Sequence, residues 1–177
     1  MHIKSPEFPR LVEGTVKKFL FITLGVILLA SLIYYFGFHT YFIRTEVHEE
    51  LPTSTVPFSG SLSQQPQMKT LATGFFGEID FIHKGSGQAK LIEIGGQKIL
   101  RLENFKVTSG PDLYAYLSDS QNPTNDIKSL NNYVSLGFLK ATSGDQNYEV
   151  PVGAESYRTA VIWCKRFGVL FSFAVMQ

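Results

Sequence analysis

The sequence predicts an all-β fold, an antiparallel β-sandwich, preceded by one transmembrane α-helix. A charge-free apolar run at residues 19–38 predicts the helix. The sandwich is predicted by a Gly95-Gly96 pair between two alternating segments, and by short apolar stretches that recur to the C-terminus with turn residues between them. With 177 residues in all, about one compact unit remains once a span and a linker are set aside. Residues 1–18 read as a cytoplasmic N-terminus, 19–38 as the span, 39–69 as a flexible spacer and 70–177 as the folded domain.

The span reads FLFITLGVILLASLIYYFGF. At about 1.5 Å per residue, a helix of this length crosses the ~30 Å hydrocarbon layer. Tyr34, Tyr35, Tyr41 and Phe42 cluster at its C-terminal end, where amphipathic rings prefer the headgroup region. Lys4, Arg10, Lys17 and Lys18 precede it and only Arg44 follows closely, which keeps the N-terminus in the cytoplasm. Apolar character continues past the small residues Ala30 and Ser31, favouring an uncleaved anchor over a cleaved signal peptide. The lipid bilayer is thus the first expected partner. The expected location is the cell membrane, single-pass, with the C-terminal domain extracytoplasmic.

After the span, periodicity fades and Pro52, Pro57 and Pro66 appear, as in an extended linker. Glu46, Glu49 and Glu50 read there as a solvated charge run with no chemical role. The firmest strands are 89–94 and 97–102, joined by glycines that tolerate the positive φ of a type I′ turn. Counting back from that turn pairs Glu93 with Lys98, Leu91 with Leu100 and Ala89 with Leu102 on one face, and Ile92 with Ile99 on the other. Further strands are predicted at 71–79, 113–117, 134–139, 147–150, 159–165 and 169–175. The last alternates, with Val169, Phe171, Phe173 and Val175 against Leu170, Ser172 and Ala174, and is expected in the middle of a sheet. Residues 118–130, rich in Ser, Asp and Asn, read as a long surface loop with a short helical turn.

Cationic and acidic side chains balance from residue 70 onward, so the counterion-release term of nucleic-acid binding is missing and that partner class is set aside. Cys164 is the only cysteine and cannot close an intrachain disulfide. Strand alternation puts it beside Ala160 and Ile162, with Val161 and Trp163 facing the other way. One reading makes Cys164 a small buried core residue. The other makes it a redox thiol at the strand's end, with Lys165 and Arg166 favouring the thiolate.

His83 and Asp112 read first as hydrogen-bonded turn residues and second as auxiliaries to such a thiol. Trp163, with Tyr114 and Tyr116, reads first as sheet packing, ahead of a stacking platform for sugars, and second as a further auxiliary to the Cys164 thiol. Glu78 and Asp80 read as solvated carboxylates sharing a strand face. His83 is the only histidine and Cys164 the only cysteine from residue 70 onward, too few for a zinc site, so no metal is expected. Nucleotide-binding and hydrolase motifs do not occur, and no cofactor is specified.

Five blocks stand out together: HKGSGQA at 83–89, GPDLYAYL at 110–117, LGFLKA at 136–141, QNYEVP at 146–151 and VIWCKRF at 161–167. Through them the chain, from about residue 73 to 174, resembles the DM-thirteen domain family, catalogued as electron transfer and also found in Skeletor-like animal proteins. The resemblance implies a redox role for the cysteine at Cys164. It also implies a domain that some members carry on a single membrane anchor. Ser172 stands where many members have glycine. Two functions follow: a redox module working on a thiol, disulfide or cofactor-bearing partner, or a surface domain whose 118–130 loop binds a protein or glycan.

Overall fold

The computed structural model describes residues 10–35, 44–52 and 68–177. The chain divides into two units, Met1–His39 and Thr40–Gln177, each described by itself. The first holds helix α1, Arg10–Tyr35. Its portion Gly14–Tyr35, 22 residues, is long and apolar enough to cross a membrane. Phe19, Leu20, Ile22, Leu24, Ile27 and Leu28 are all exposed, an apolar surface on every side that is alien to water. Residues 1–9 of the predicted N-terminus, 36–38 of the predicted span, and 39–43 and 53–67 of the predicted spacer lie outside the described residues.

The second unit is built of strands: β1 Glu46–His48, β2 Met68–Phe75, β3 Gly85–Ile94, β4 Gln97–Val107, β5 Leu113–Ser118, β6 Tyr133–Phe138, β7 Ser143–Glu149, β8 Thr159–Cys164 and β9 Val169–Val175. They form two sheets, ordered β1-β7-β4-β3-β2 and β6-β5-β8-β9. All described pairings are antiparallel except β1 with β7. The predicted hairpin has its predicted register, Glu93 opposite Lys98 through Ala89 opposite Leu102. Gly95 and Gly96 both take positive φ, 58° and 85°, as a type I′ turn requires.

Between the sheets, Leu91, Leu100, Leu102 and Phe105 of the first meet Leu117, Ile162 and Phe171 of the second, all fully buried. Each such side chain contributes roughly 1.5–3 kcal/mol on burial. Gln146 is equally buried yet fully served. Its amide donates to the Ala141 carbonyl at 2.8 Å, and its oxygen accepts from the Tyr148 hydroxyl at 2.7 Å. Burial pushes that tyrosine up to about 12, with the nearby Glu49 carboxylate adding to the effect and the Lys140 amide bond opposing it.

Several expectations need correction. The last strand is an edge strand, next only to β8 in its sheet, not a central one. Its exposed side is covered nonetheless: Gln177 exchanges backbone bonds with Thr73, and the Ser172 hydroxyl donates to the Gly77 carbonyl at 2.8 Å. Its alternation is also broken, because Ile162 pairs with Ser172 and Trp163 with Leu170, leaving Phe171 as a bulge. Phe171 and Ala174 therefore share the inner core, while Leu170 and Phe173 line the outer face.

The predicted strand 71–79 begins at Met68 and ends at Phe75, where the chain turns away through Asp80. Glu78 and Asp80 share no strand: Glu78 pairs with Lys84 and Asp80 with His83. The strand at 147–150 starts at Ser143, because its inward positions are Gly144 and Gln146, neither of which reads as apolar.

The stretch read as spacer also contains structure. Thr45 to Glu49 runs along β7, with the Thr45 carbonyl accepting the Ser143 N–H at 3.0 Å and the Asp145 carbonyl accepting the Glu49 N–H at 2.9 Å. Gly144, at φ 100°, lies so close to Val47 that a Cβ there would strike the Val47 carbonyl. Glu49 is no solvated charge. It binds the Lys140 ammonium at 2.8 and 2.9 Å and the Asn147 N–H at 2.8 Å. Burial works against its ionised form, but these bonds and the Arg101 charge hold it below the usual carboxylate range. Leu51 then covers Ile92, Ile94 and Ile99 on the sheet's outer face.

Replacing Glu49 by Ala is expected to cost about 1 kcal/mol. Hydrogen exchange at the Glu49 and Ser143 amides should quicken roughly fivefold while Leu91 and Leu100 stay slow. Unchanged exchange at both sites would contradict the docking role.

Candidate functional site

The candidate site lies at the end of the sandwich where β8 stops. Three loops meet there. Lys165 donates its N–H to the Asp112 carbonyl at 3.0 Å, and Thr108 donates to the Lys84 carbonyl at 2.9 Å. The Thr108 hydroxyl donates to the Ile82 carbonyl at 2.8 Å. Residues 79–84, 108–112 and 165–168 are thereby tied into one surface. Phe171 fills the space below them: Gly110 must lack a Cβ because one would sit 2.6 Å from the Phe171 ring.

Cys164 is the last residue of β8 and is completely buried. Its Sγ donates to the Pro111 carbonyl at 2.8 Å. Burial pushes the thiol up, and the Asp112 charge adds to this; the backbone N–H groups of Phe167 and Arg166 and the Arg166 charge pull the other way. The sulfur thus sits between one acceptor that holds its proton and two amide donors suited to its anion. Lys165, expected to favour the thiolate, lies instead over the Tyr114 ring at 5.1 Å from the centroid.

Asp112 is a turn residue as expected, through its left-handed backbone, φ 61°, and through its carbonyl. His83 is likewise held in a turn. The Asp80 carboxylate accepts the Ile82 and His83 backbone N–H groups at 2.8 and 2.7 Å and meets the His83 Nδ1 at 2.7 Å. The bond to the His83 ring, then those from the backbone, bring Asp80 down to about 2. The His83 ring packs on Phe171 with centroids 4.5 Å apart. The side-chain partner of His83 is therefore Asp80, and its link to the core is Phe171 rather than Cys164.

Trp163 is not part of this end. It is buried on the outer face of the second sheet with Tyr116, Val161, Leu130 and Leu170. That face is roofed by the predicted 118–130 loop, which carries the short helical turn at Ile127–Leu130. The roof is pinned by the Ser118 hydroxyl donating to the Leu130 carbonyl at 2.6 Å, and by Asn125 accepting the Leu170 N–H at 2.8 Å. Tyr114, Tyr116 and Tyr133 continue the face outward, with the last two stacked at 5.2 Å. Sequence reasoning missed the Asp80 and His83 pairing and the Pro111 carbonyl. The three-residue spacing of Asp80 and His83 in a turn was a usable signal for the first; a carbonyl acceptor leaves none.

Since Asp80 is held to about 2 from an ordinary 3.8, its contribution to stability is complete above about pH 4 and fades as the pH falls toward 2. Acid unfolding should therefore begin at higher pH in Asp80→Asn, by circular dichroism. Coincident acid transitions in the two proteins would remove the pairing from the account.

A family model described as Electron transfer DM13 matches residues 76–176, more than half of the chain. No curated protein and no solved structure matches it. The match takes in His83, Asp112, Trp163, Cys164 and Lys165, and every strand from β3 to β9. The chain belongs to the electron-transfer DM13 family.

Proposed function

We propose that this chain is an electron-transfer module held at the cell surface by its N-terminal helix, with Cys164 as a gated redox thiol. The observation that carries the reading is the position of the sulfur. It stands at the end of a strand, directly under the 165–168 turn, with the amides of Arg166 and Phe167 directed at it. In the closed state the Pro111 carbonyl keeps the proton and burial keeps the thiol unreactive. Displacing the turn lets water take the proton and exposes the thiolate. The thiolate then attacks one sulfur of a partner disulfide, forming a new S–S bond to Cys164 as the partner's S–S bond breaks. The second partner sulfur leaves as a thiolate and takes up the proton, and a further thiol resolves the mixed disulfide.

The flanks of α1 support the placement. Lys17 and Lys18 precede the charge-free run that begins at Phe19, and by the excess of basic residues on that side the domain lies away from the cytoplasm. The bilayer and a redox partner are the partners this reading names; no nucleic acid is among them.

The complete burial of Cys164 favours one rival, a surface interaction domain in which the thiol is structural. Oxidised glutathione and the folded, membrane-embedded chain separate the two. The redox reading expects a mixed disulfide at Cys164 by mass spectrometry, forming about tenfold faster per pH unit up to the thiol's pKa, and absent in Cys164→Ala. Adduct formation only after unfolding would assign Cys164 to structure, with Cys164→Ala costing roughly 0.5–3 kcal/mol of stability.

A further inference from the structure

The same end of the domain carries a hollow, lined in part by cationic side chains, that neither reading uses. It has a volume of about 280 Å³, and its walls include Arg44, Lys84, Lys106, Thr108 and Ser109. Glu78 is the one carboxylate on the wall and is engaged with Lys84 at 3.0 Å. Arg44 and Lys106 form no ion pair among the described residues. The Ser109 hydroxyl is buried, the residue 4% exposed, and has no hydrogen-bond partner among the described residues. A buried hydroxyl without a partner is destabilising unless something supplies one. Cations with an unused hydroxyl beside them suit a phosphate group.

Next to the hollow the surface turns apolar. Phe81 is 85% exposed and Ile82 47%, and the Ile82 carbonyl is held by the Thr108 hydroxyl on the hollow's wall. Exposed phenylalanine and isoleucine at a loop tip, set against lysine and arginine, match the boundary between acyl chains and headgroups. The path of the chain supplies an independent argument. Only residues 36–43 separate the described end of α1 from Arg44, and Arg44 is itself part of the wall. The long stretch expected as a leash lies mostly after β1, so the first point at which the chain joins the domain is this end.

We propose that this end is a phospholipid-docking surface: Phe81 and Ile82 enter the headgroup boundary, and Arg44, Lys84, Lys106 and Ser109 bind a lipid phosphate. The proposal rests on the membrane-anchored reading above. It would hold the Cys164 end toward the bilayer and present that thiol to a partner that is itself in or on the membrane.

The test uses the full chain in nanodiscs of brominated phosphatidylcholine and phosphatidylglycerol, with tryptophan placed either at the tip, Phe81→Trp, or at the far end of the sandwich, Val152→Trp. Both positions are exposed, Val152 at 96%, while the native Trp163 is 3% exposed and gives the common background. Docking predicts quenching of the new tryptophan at least twofold stronger at 81 than at 152. Adding Lys84→Gln and Lys106→Gln should bring the value at 81 down to that at 152. Equal or reversed quenching at the two ends overturns the surface, and quenching at 81 unchanged by the two glutamines overturns the phosphate assignment. A chain that never enters the discs overturns the anchor and the docking together, whereas one that enters with an unquenched tip overturns only the docking.

Discussion

Burial of both faces of β8 is the constraint on which the rest of the domain depends. All six of its residues are buried, three toward the inner core and Val161 and Trp163 toward the outer face. A strand whose residues are apolar on both sides needs two covers, and a sandwich of two sheets supplies only one. The second cover is the 118–130 segment, which brings Leu130 and Ile127 onto Trp163 and Tyr116. That requirement explains a loop of polar composition that nevertheless folds back across a sheet. It explains, too, why Cys164 has no route to water through either face, so that any access must come through the turn that follows it.

The outer face of the first sheet meets the same need differently. Ile92, Ile94 and Ile99 are capped by Leu51, while next to them Arg101 bonds the Glu49 carbonyl, Asn147 and Glu103. Glu103 also binds Lys90, and its bonds to Lys90 and Arg101 hold it below the usual carboxylate range. A short parallel strand thus closes the β7 edge that would otherwise stand open. The β9 edge of the second sheet is covered by Gly77 and Thr73, with Ser172 making the side-chain contact. The Ser172 hydroxyl thereby adds a bond to the cover.

What could be read in the sequence follows from how each feature is encoded. The β3–β4 hairpin was legible down to its register because a two-glycine turn and an alternating pattern specify the same pairing. The faces of β8 were legible from alternation alone. The bulge at Phe171 was not, since a bulge leaves the composition of a strand unchanged and appears only when the partner strand is known. The start of β7 was hidden because Gly144 and Gln146 face inward, one for lack of a side chain and the other through three hydrogen bonds. Strand β1 was hidden because its partner lies about a hundred residues away and its hold is largely polar. At the candidate site, residue types named Cys164, His83 and Asp112, but not that His83 belongs with Asp80, nor that Lys165 turns toward Tyr114.

The account therefore comes to rest on how Cys164 meets solvent. The most direct measurement is the rate of thiol labelling in the folded chain as denaturant is raised through the range where the protein stays native. A gate at the 165–168 turn predicts labelling that is slow but nearly independent of denaturant, because a local opening exposes little surface. Labelling that rises with the full denaturant dependence of global unfolding would mean that the thiol is reached only when the whole domain comes apart, and it would contradict the gated thiol.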